Sequence, residues 1–140
     1  MELKDFHTLS VAEVMDDRTW DLPLIEGSAS VKIAMILLTK RGYGWVVKGK
    51  KDLELIGVIT EHDVLSLFSG KNKKEVKKIE DLMTPNPIIC RKNEKVSDVL
   101  EKVEKHGIRR LPVVDGKKLI GEITLRHLIE KYYSLFLFRK

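Results

Sequence analysis

The chain is poor in the residues that would tie it to several familiar protein classes. Among 140 residues there is one cysteine, Cys90, so no internal disulfide can form and no cysteine cluster can hold a metal. Long hydrophobic runs are also missing. The longest apolar stretch is Ile33-Ala34-Met35-Ile36-Leu37-Leu38, whereas a membrane-spanning helix needs about 20 apolar residues. The opening Met1-Glu2-Leu3-Lys4-Asp5 lacks the basic start and apolar core of a secretory signal. A reducing cytoplasmic setting is therefore expected, with no membrane partner. Aromatics are scarce where lysines gather: the lysine-rich run from Lys71 is mixed with Glu75 and Glu80 and has no interleaved aromatics for base stacking. Nor is one sign of charge scarce: 26 basic residues face 21 acidic ones, a net charge of +5. That excess suits an anionic ligand but does not by itself indicate nucleic acid, a partner read here as unlikely.

What the chain does have is 43% hydrophobic and 34% charged residues, the proportions of a folded globular protein, and an internal repeat. Val11-Ala12-Glu13-Val14-Met15 matches Ile79-Glu80-Asp81-Leu82-Met83, 68 residues later. Val31, Ala34, Met35 and Leu38 match Val96, Val99, Leu100 and Val103, 65 residues later. Both sets have the i, i+3, i+4, i+7 spacing of a helix with one buried face. Each is followed by a glycine at the position where a helix C-cap favours one, Gly42 and Gly107. Gly57-Val58-Ile59-Thr60 matches Gly121-Glu122-Ile123-Thr124 at an offset of 64. Four landmarks in one order make a tandem repeat of about 60 residues, which on size alone buries too little to stand by itself. The expected halves are residues 1–70 and 71–140.

Each half reads as a short helix, an extended segment, the amphipathic helix, two strands and a last helix. Asp115-Gly116 between two apolar runs signals a tight hairpin turn. The last helices are expected near residues 61–68 and 125–138. Ser69-Gly70-Lys71-Asn72-Lys73-Lys74 reads as a solvated linker. The tail Tyr132-Tyr133-Ser134-Leu135-Phe136-Leu137-Phe138 is too apolar to stay in water and should pack on the module or on a second chain.

The helix-β-α-β-β-α order, given twice, carries Gly57-Val58-Ile59-Thr60-Glu61-His62-Asp63 in the first half. The second half has Met83-Thr84-Pro85-Asn86-Pro87 and the stretch from His106 through Arg109-Arg110-Leu111-Pro112-Val113-Val114 to Asp115. Together these resemble the CBS-domain pair, or Bateman module, over residues from about 9 to 133. The resemblance implies an α/β (α+β) fold, tandem CBS repeats packed as a pseudo-twofold disc. It also implies a regulatory rather than catalytic role, with an adenosine-containing ligand (AMP, ADP, ATP or S-adenosylmethionine) held between the repeats. A homodimer and a separate effector protein are the implied partners. A nucleic-acid-binding protein and a purely structural dimerisation module are the alternatives.

The residues themselves suit such a ligand. Gly57 lets backbone approach closely, and Thr60 with the first amides of the next helix can meet an anion. Asp63 can accept from both hydroxyls of a ribose. The same Thr60-x-x-Asp63 spacing is also a helix capping box, and the two roles are compatible. The backbone around Ile59 belongs to the same turn. In the second half His127 stands where the family has its aspartate. Neutral imidazole offers one acceptor at most, so a second site is expected to be degenerate. The resemblance places Arg109 and Arg110 at the ligand's phosphates, with His106 and Arg126 as further candidates, and arginine's planar fork suits that task. Trp20 is a candidate cover for an adenine, with core packing as the alternative. His7 and His62 have no ligand-spaced neighbours, so no metal site is expected. No nucleophile turn or P-loop is present, so no catalytic residue is assigned.

Overall fold

The computed structural model describes residues 3–70 and 76–137. The lysine-rich run at 71–74 and Phe138, both singled out above, lie outside the described residues. The fold is mixed α/β. Helix α1 (Leu3–His7) is followed by strand β1 (Leu24–Glu26), α2 (Val31–Arg41), β2 (Tyr43–Val47), β3 (Leu55–Thr60) and α3 (Glu61–Phe68). Then come β4 (Thr84–Pro85), α4 (Val96–His106), β5 (Arg110–Asp115), β6 (Lys118–Thr124) and α5 (Leu125–Leu137). The short helices expected at the two repeat openings are single 3-10 turns, Val11–Glu13 and Ile79–Asp81. The glycines after the two amphipathic helices act as expected. Gly42 and Gly107 have φ of 79° and 62° and donate their N–H groups to the carbonyls of Leu38 and Val103.

The chain divides into two compact units that do not coincide with the sequence repeats. One comprises Asp21–Pro87 with Lys117–Leu119; the other comprises Met1–Trp20, Ile88–Gly116 and Ile120–Lys140. Each unit thus contains the body of one repeat and the opening segment of the other.

In the first unit the strands run β1-β2-β3-β4. β1 is parallel to β2, with Leu24 beside Trp45, while β2–β3 and β3–β4 are antiparallel. Every residue of β2 is buried, as a central strand with both faces covered should be. Strand alternation sends Val46 into a cluster with Ile25, Ala34, Leu38, Ile59, Val64, Ile79 and Leu82. Tyr43, Trp45 and Val47 point the other way and pack with Leu22 and Leu119. Tyr43 and Trp45 meet edge to face at 5.5 Å, so both fill the core.

In the second unit β5 and β6 form the hairpin announced by Asp115-Gly116. Cys90 takes the place of a β1 strand with a single parallel bridge to Val113. The core gathers Phe6, Val11, Val14, Cys90, Val96, Val99, Leu111, Val113, Ile123 and Leu128. Burial pushes the Cys90 thiol up to about 12. Since the thiolate is the nucleophile, native Cys90 should resist iodoacetamide at neutral pH and react at the unfolding rate. Prompt labelling of the folded protein would contradict this burial.

The expected stripe of α2 holds for Ala34 and Leu38, but Met35 is exposed, as are Ile33 and Ile36. On α5, Leu128 is buried while Ile129, Tyr133, Phe136 and Leu137 are exposed. With Leu3, Phe6 and Leu100 the tail residues Ile129, Tyr132, Tyr133 and Phe136 line an apolar cleft of about 560 Å³. Among the described residues no helix is long and apolar enough to cross a membrane.

Candidate functional site

The turn from β3 into α3 is organised by Asp63. Its Oδ2 accepts hydrogen bonds from the Thr60 backbone N–H at 2.8 Å and the Thr60 hydroxyl at 3.1 Å. These close the capping arrangement that the Thr-x-x-Asp spacing implied, satisfying an amide that would otherwise face the helix start unpaired. Asp63 Oδ1 accepts a third bond, from the Thr84 hydroxyl at 2.9 Å. Thr84 is brought there by strand pairing, since β4 lies antiparallel to β3 with Val58 opposite Thr84 and Gly57 opposite Pro85.

Gly57 makes that approach possible. A Cβ on Gly57 would lie 2.5 Å from Met83 Sδ and 2.8 Å from the Thr84 carbonyl oxygen. The close backbone approach that this glycine permits is therefore that of the chain's own Met83-Thr84 segment. The second unit repeats the device: a Cβ on Gly121 would lie 2.6 Å from the Asp16 carbonyl oxygen and 3.3 Å from Met15 Sδ. Met15-Asp16 and Met83-Thr84 are equivalent positions of the repeat, 68 residues apart.

At the β6–α5 turn His127 does the work of the aspartate. Its Nδ1 accepts the Thr124 N–H at 3.1 Å, and the Thr124 hydroxyl accepts the His127 N–H at 3.1 Å. The residue matching Thr84 in this region is Asp16, across the antiparallel bridge to the buried Glu122. Arg18 donates to Asp16 from Nε at 2.9 Å and from Nη2 at 3.0 Å, and these side-chain bonds hold the Asp16 carboxyl below its usual range. The first turn thus pairs a helix carboxylate with a strand hydroxyl. The second turn caps its helix with an imidazole, and the residue matching Thr84, Asp16, is held by Arg18 instead.

His127→Asp should strengthen the α5 start. A carboxylate accepts from the same amide and is favoured at a helix N-terminus, for a gain of roughly 0.5–1 kcal/mol. Thermal unfolding at neutral pH measures it, and a lower melting temperature would show that the imidazole cap is the better one here.

The other sequence candidates fall as follows. Ile59 is 0% exposed and its side chain belongs to the core, so only its backbone can face a ligand. Arg109 and Arg110 lead into β5, and the Arg109 carbonyl accepts the Leu125 N–H at 3.0 Å, tying this stretch to the start of α5. Arg126 is exposed and faces Glu130 at 3.5 Å. His106 ends α4 on the rim of a cleft of about 290 Å³ that it shares with Lys102, Lys105, Glu94 and Asp98. Trp20 is 80% exposed, with the Arg18 guanidinium 5.7 Å from its ring centroid, so it is not a core filler. Gly57, Thr60 and Asp63 belong to one compact unit; Arg109, Arg110, Arg126, His106 and Trp20 belong to the other.

Thr84 and Asp16 were not among the sequence candidates. The repeat register held the signal, because both directly follow the matched methionines.

Comparison with known proteins decides the family. A family model for the CBS domain matches residues 11–70 and again 79–134. The chain belongs to the CBS-domain family. Among solved structures, this CBS pair is similar to CBSX2 in complex with AMP, at 30% identity and a TM-score of 0.79, covering 91% of this chain and 98% of that one. CBSX2 is a CBS-pair protein of Arabidopsis thaliana. The CBS domain pair of protein MJ0100, solved with 5′-methylthioadenosine and S-adenosyl-L-methionine, is similar at 25% identity and a TM-score of 0.68, over 88% of this chain and 98% of that one. Among curated proteins, arabinose 5-phosphate isomerase KdsD of Francisella tularensis subsp. tularensis is 28% identical over 79% of this chain. This CBS pair spans only 34% of that isomerase.

Proposed function

We propose that this CBS pair is a regulatory, non-catalytic module that senses one adenosine-containing nucleotide (AMP, ADP, ATP or S-adenosylmethionine) at the β3–α3 turn. Asp63 accepts from the ribose hydroxyls, and Thr60 with the first amides of α3 faces the anionic end. The observation that carries this reading is the Thr60–Asp63 turn, kept in a chain that an AMP-bound CBS-pair structure matches over 91% of its length. Arg109 and Arg110, with His106 and Arg126 as lesser candidates, are assigned to the phosphates and Trp20 to the adenine. The His127 turn is assigned no ribose. The regulated effector is a separate protein in the cytoplasm.

Isothermal titration calorimetry with AMP, ATP and S-adenosylmethionine tests the reading. One binding event per chain with at least one of them is expected. Absence of heat with all three at about millimolar concentration, the weak end of specific binding, overturns it. Arg109→Ala or Arg110→Ala should weaken AMP or ATP about tenfold while leaving adenosine little changed, as loss of a charge-assisted bond to phosphate requires. Equal losses for adenosine would remove these arginines from the phosphate role.

We assign self-association to the apolar face of α5, whose exposed Ile129, Tyr133 and Phe136 border the cleft described above. A two-chain assembly is the commonest arrangement for such a face. Sedimentation at micromolar concentration should give twice the chain mass, and a monomer would exclude it.

A further inference from the structure

Asp63 is nearly saturated before any ligand arrives. A carboxylate offers about four lone-pair positions. Two bonds from Thr60 fall on Oδ2, and the Thr84 hydroxyl falls on Oδ1. One position remains, whereas a ribose cis-diol brings two hydroxyl donors.

The bonds are not equally easy to give up. Those from Thr60 form the N-terminal cap of α3, and one of them comes from a backbone amide fixed in the turn. The Thr84 bond comes from a residue 21 positions away in sequence. It is made by an exposed side chain on a two-residue strand. The backbone of Thr84 is held by pairing with Val58 and by the space left at Gly57. Its hydroxyl, in contrast, can leave Asp63 by turning about χ1 alone, from one staggered rotamer to another.

We infer that the Thr84 hydroxyl occupies the position of a ribose hydroxyl on Asp63, so that an adenosine ligand binds by displacing it. This rests on the reading of Asp63 as the ribose acceptor. Thr84 is then a built-in competitor: it lowers affinity and raises the nucleotide concentration at which the module responds. A ligand with one ribose hydroxyl fits the remaining position and leaves Thr84 in place. A ligand with both must exchange hydroxyl for hydroxyl.

Thr84→Val keeps the β-branched shape and the strand while removing the donor. An intramolecular hydrogen bond is worth about 0.5–1.5 kcal/mol over the water that replaces it, so AMP should bind about two- to tenfold more tightly. The affinity for 2′-deoxy-AMP should not change. Thr84→Ser retains the hydroxyl and should bind both ligands as the parent does, which separates the hydroxyl from any effect of altering the strand. Calorimetry on the full chain, with AMP and 2′-deoxy-AMP against parent, Thr84→Val and Thr84→Ser, supplies the comparison. Tighter AMP binding by Thr84→Val with 2′-deoxy-AMP unmoved supports the competitor. If parent binds AMP and Thr84→Val binds it equally or more weakly, or tightens for both ligands alike, the competitor is overturned while the ribose reading stands. If the parent binds neither of these, nor ATP, nor S-adenosylmethionine, the reading of Asp63 itself falls and the competitor falls with it; a parent that binds only one of the latter two carries the same comparison with that ligand and its 2′-deoxy form.

Discussion

Asp63→Ala should reduce affinity for an adenosine nucleotide about tenfold or more and destabilise the fold at the same time. The two losses have separate causes. A hydrogen bond to a charged group contributes about 1.5–3 kcal/mol, and the ribose loses its acceptor entirely in the variant. The fold loses a cap: the Thr60 N–H and hydroxyl and the Thr84 hydroxyl are all left without the carboxylate. Helix N-cap deletions typically cost about 1 kcal/mol. Asp63→Asn separates the two. Its amide oxygen can still accept from Thr60, so most of the cap survives, but the negative charge is gone and the amide NH₂ faces Thr84 as a donor. Calorimetry should therefore show weakened nucleotide binding by both variants, while thermal unfolding places Asp63→Asn nearer the parent. If Asp63→Ala unfolds earlier yet binds AMP or ATP as tightly as the parent, Asp63 is a cap and nothing more.

The cap of α3 was legible in the sequence, whereas the Thr84 contact to Asp63 was not. Thr60-x-x-Asp63 is a local pattern: the residues that make the hydrogen bonds lie within one helical turn, and spacing alone predicts them. Thr84 reaches Asp63 only because β4 pairs with β3, a contact over 21 residues that no periodicity encodes. Local signals served equally well for α4, whose Val96 and Val99 are buried with Leu100 and Val103 packed against the same cluster. They served less well for α2. There Ile33, Ala34, Met35, Ile36, Leu37 and Leu38 are all apolar, so the sequence does not mark which face meets the sheet, and Ile33, Met35 and Ile36 emerge exposed. The hairpin at Asp115-Gly116 was readable for the same reason as the caps: its turn chemistry sits in two adjacent residues. Capping chemistry itself tolerated substitution, since His127 replaces a carboxylate and still accepts the amide it should.

The exchange of opening segments was the least legible feature, and it leads to the largest expected effect on stability. Residues 1–70 and 71–140, expressed separately, should each fail to melt cooperatively. The fragment 1–70 retains β1, β2, β3, α2 and α3 but lacks Ile79, which is 0% exposed, and Leu82, both packed against Ile25, Ala34, Val46 and Ile59. It also lacks β4, leaving β3 as an unpaired edge. The fragment 71–140 lacks Phe6, Val11 and Val14, which belong to the cluster of Cys90, Leu111, Val113 and Ile123. Truncating one fully buried Ile to Ala costs about 2–5 kcal/mol, against a total stability of about 5–15 kcal/mol for a small protein. Losing two or three such side chains together with their backbone pairing removes most of what holds either unit. Ile79→Ala in the intact chain should show the single-residue part of this cost as a lower urea midpoint with an unchanged slope. Mixing the two fragments should restore one cooperative transition, because each supplies the segment that the other's core lacks. A cooperative melt of either fragment alone would show that the opening segments are dispensable to the cores in which they lie.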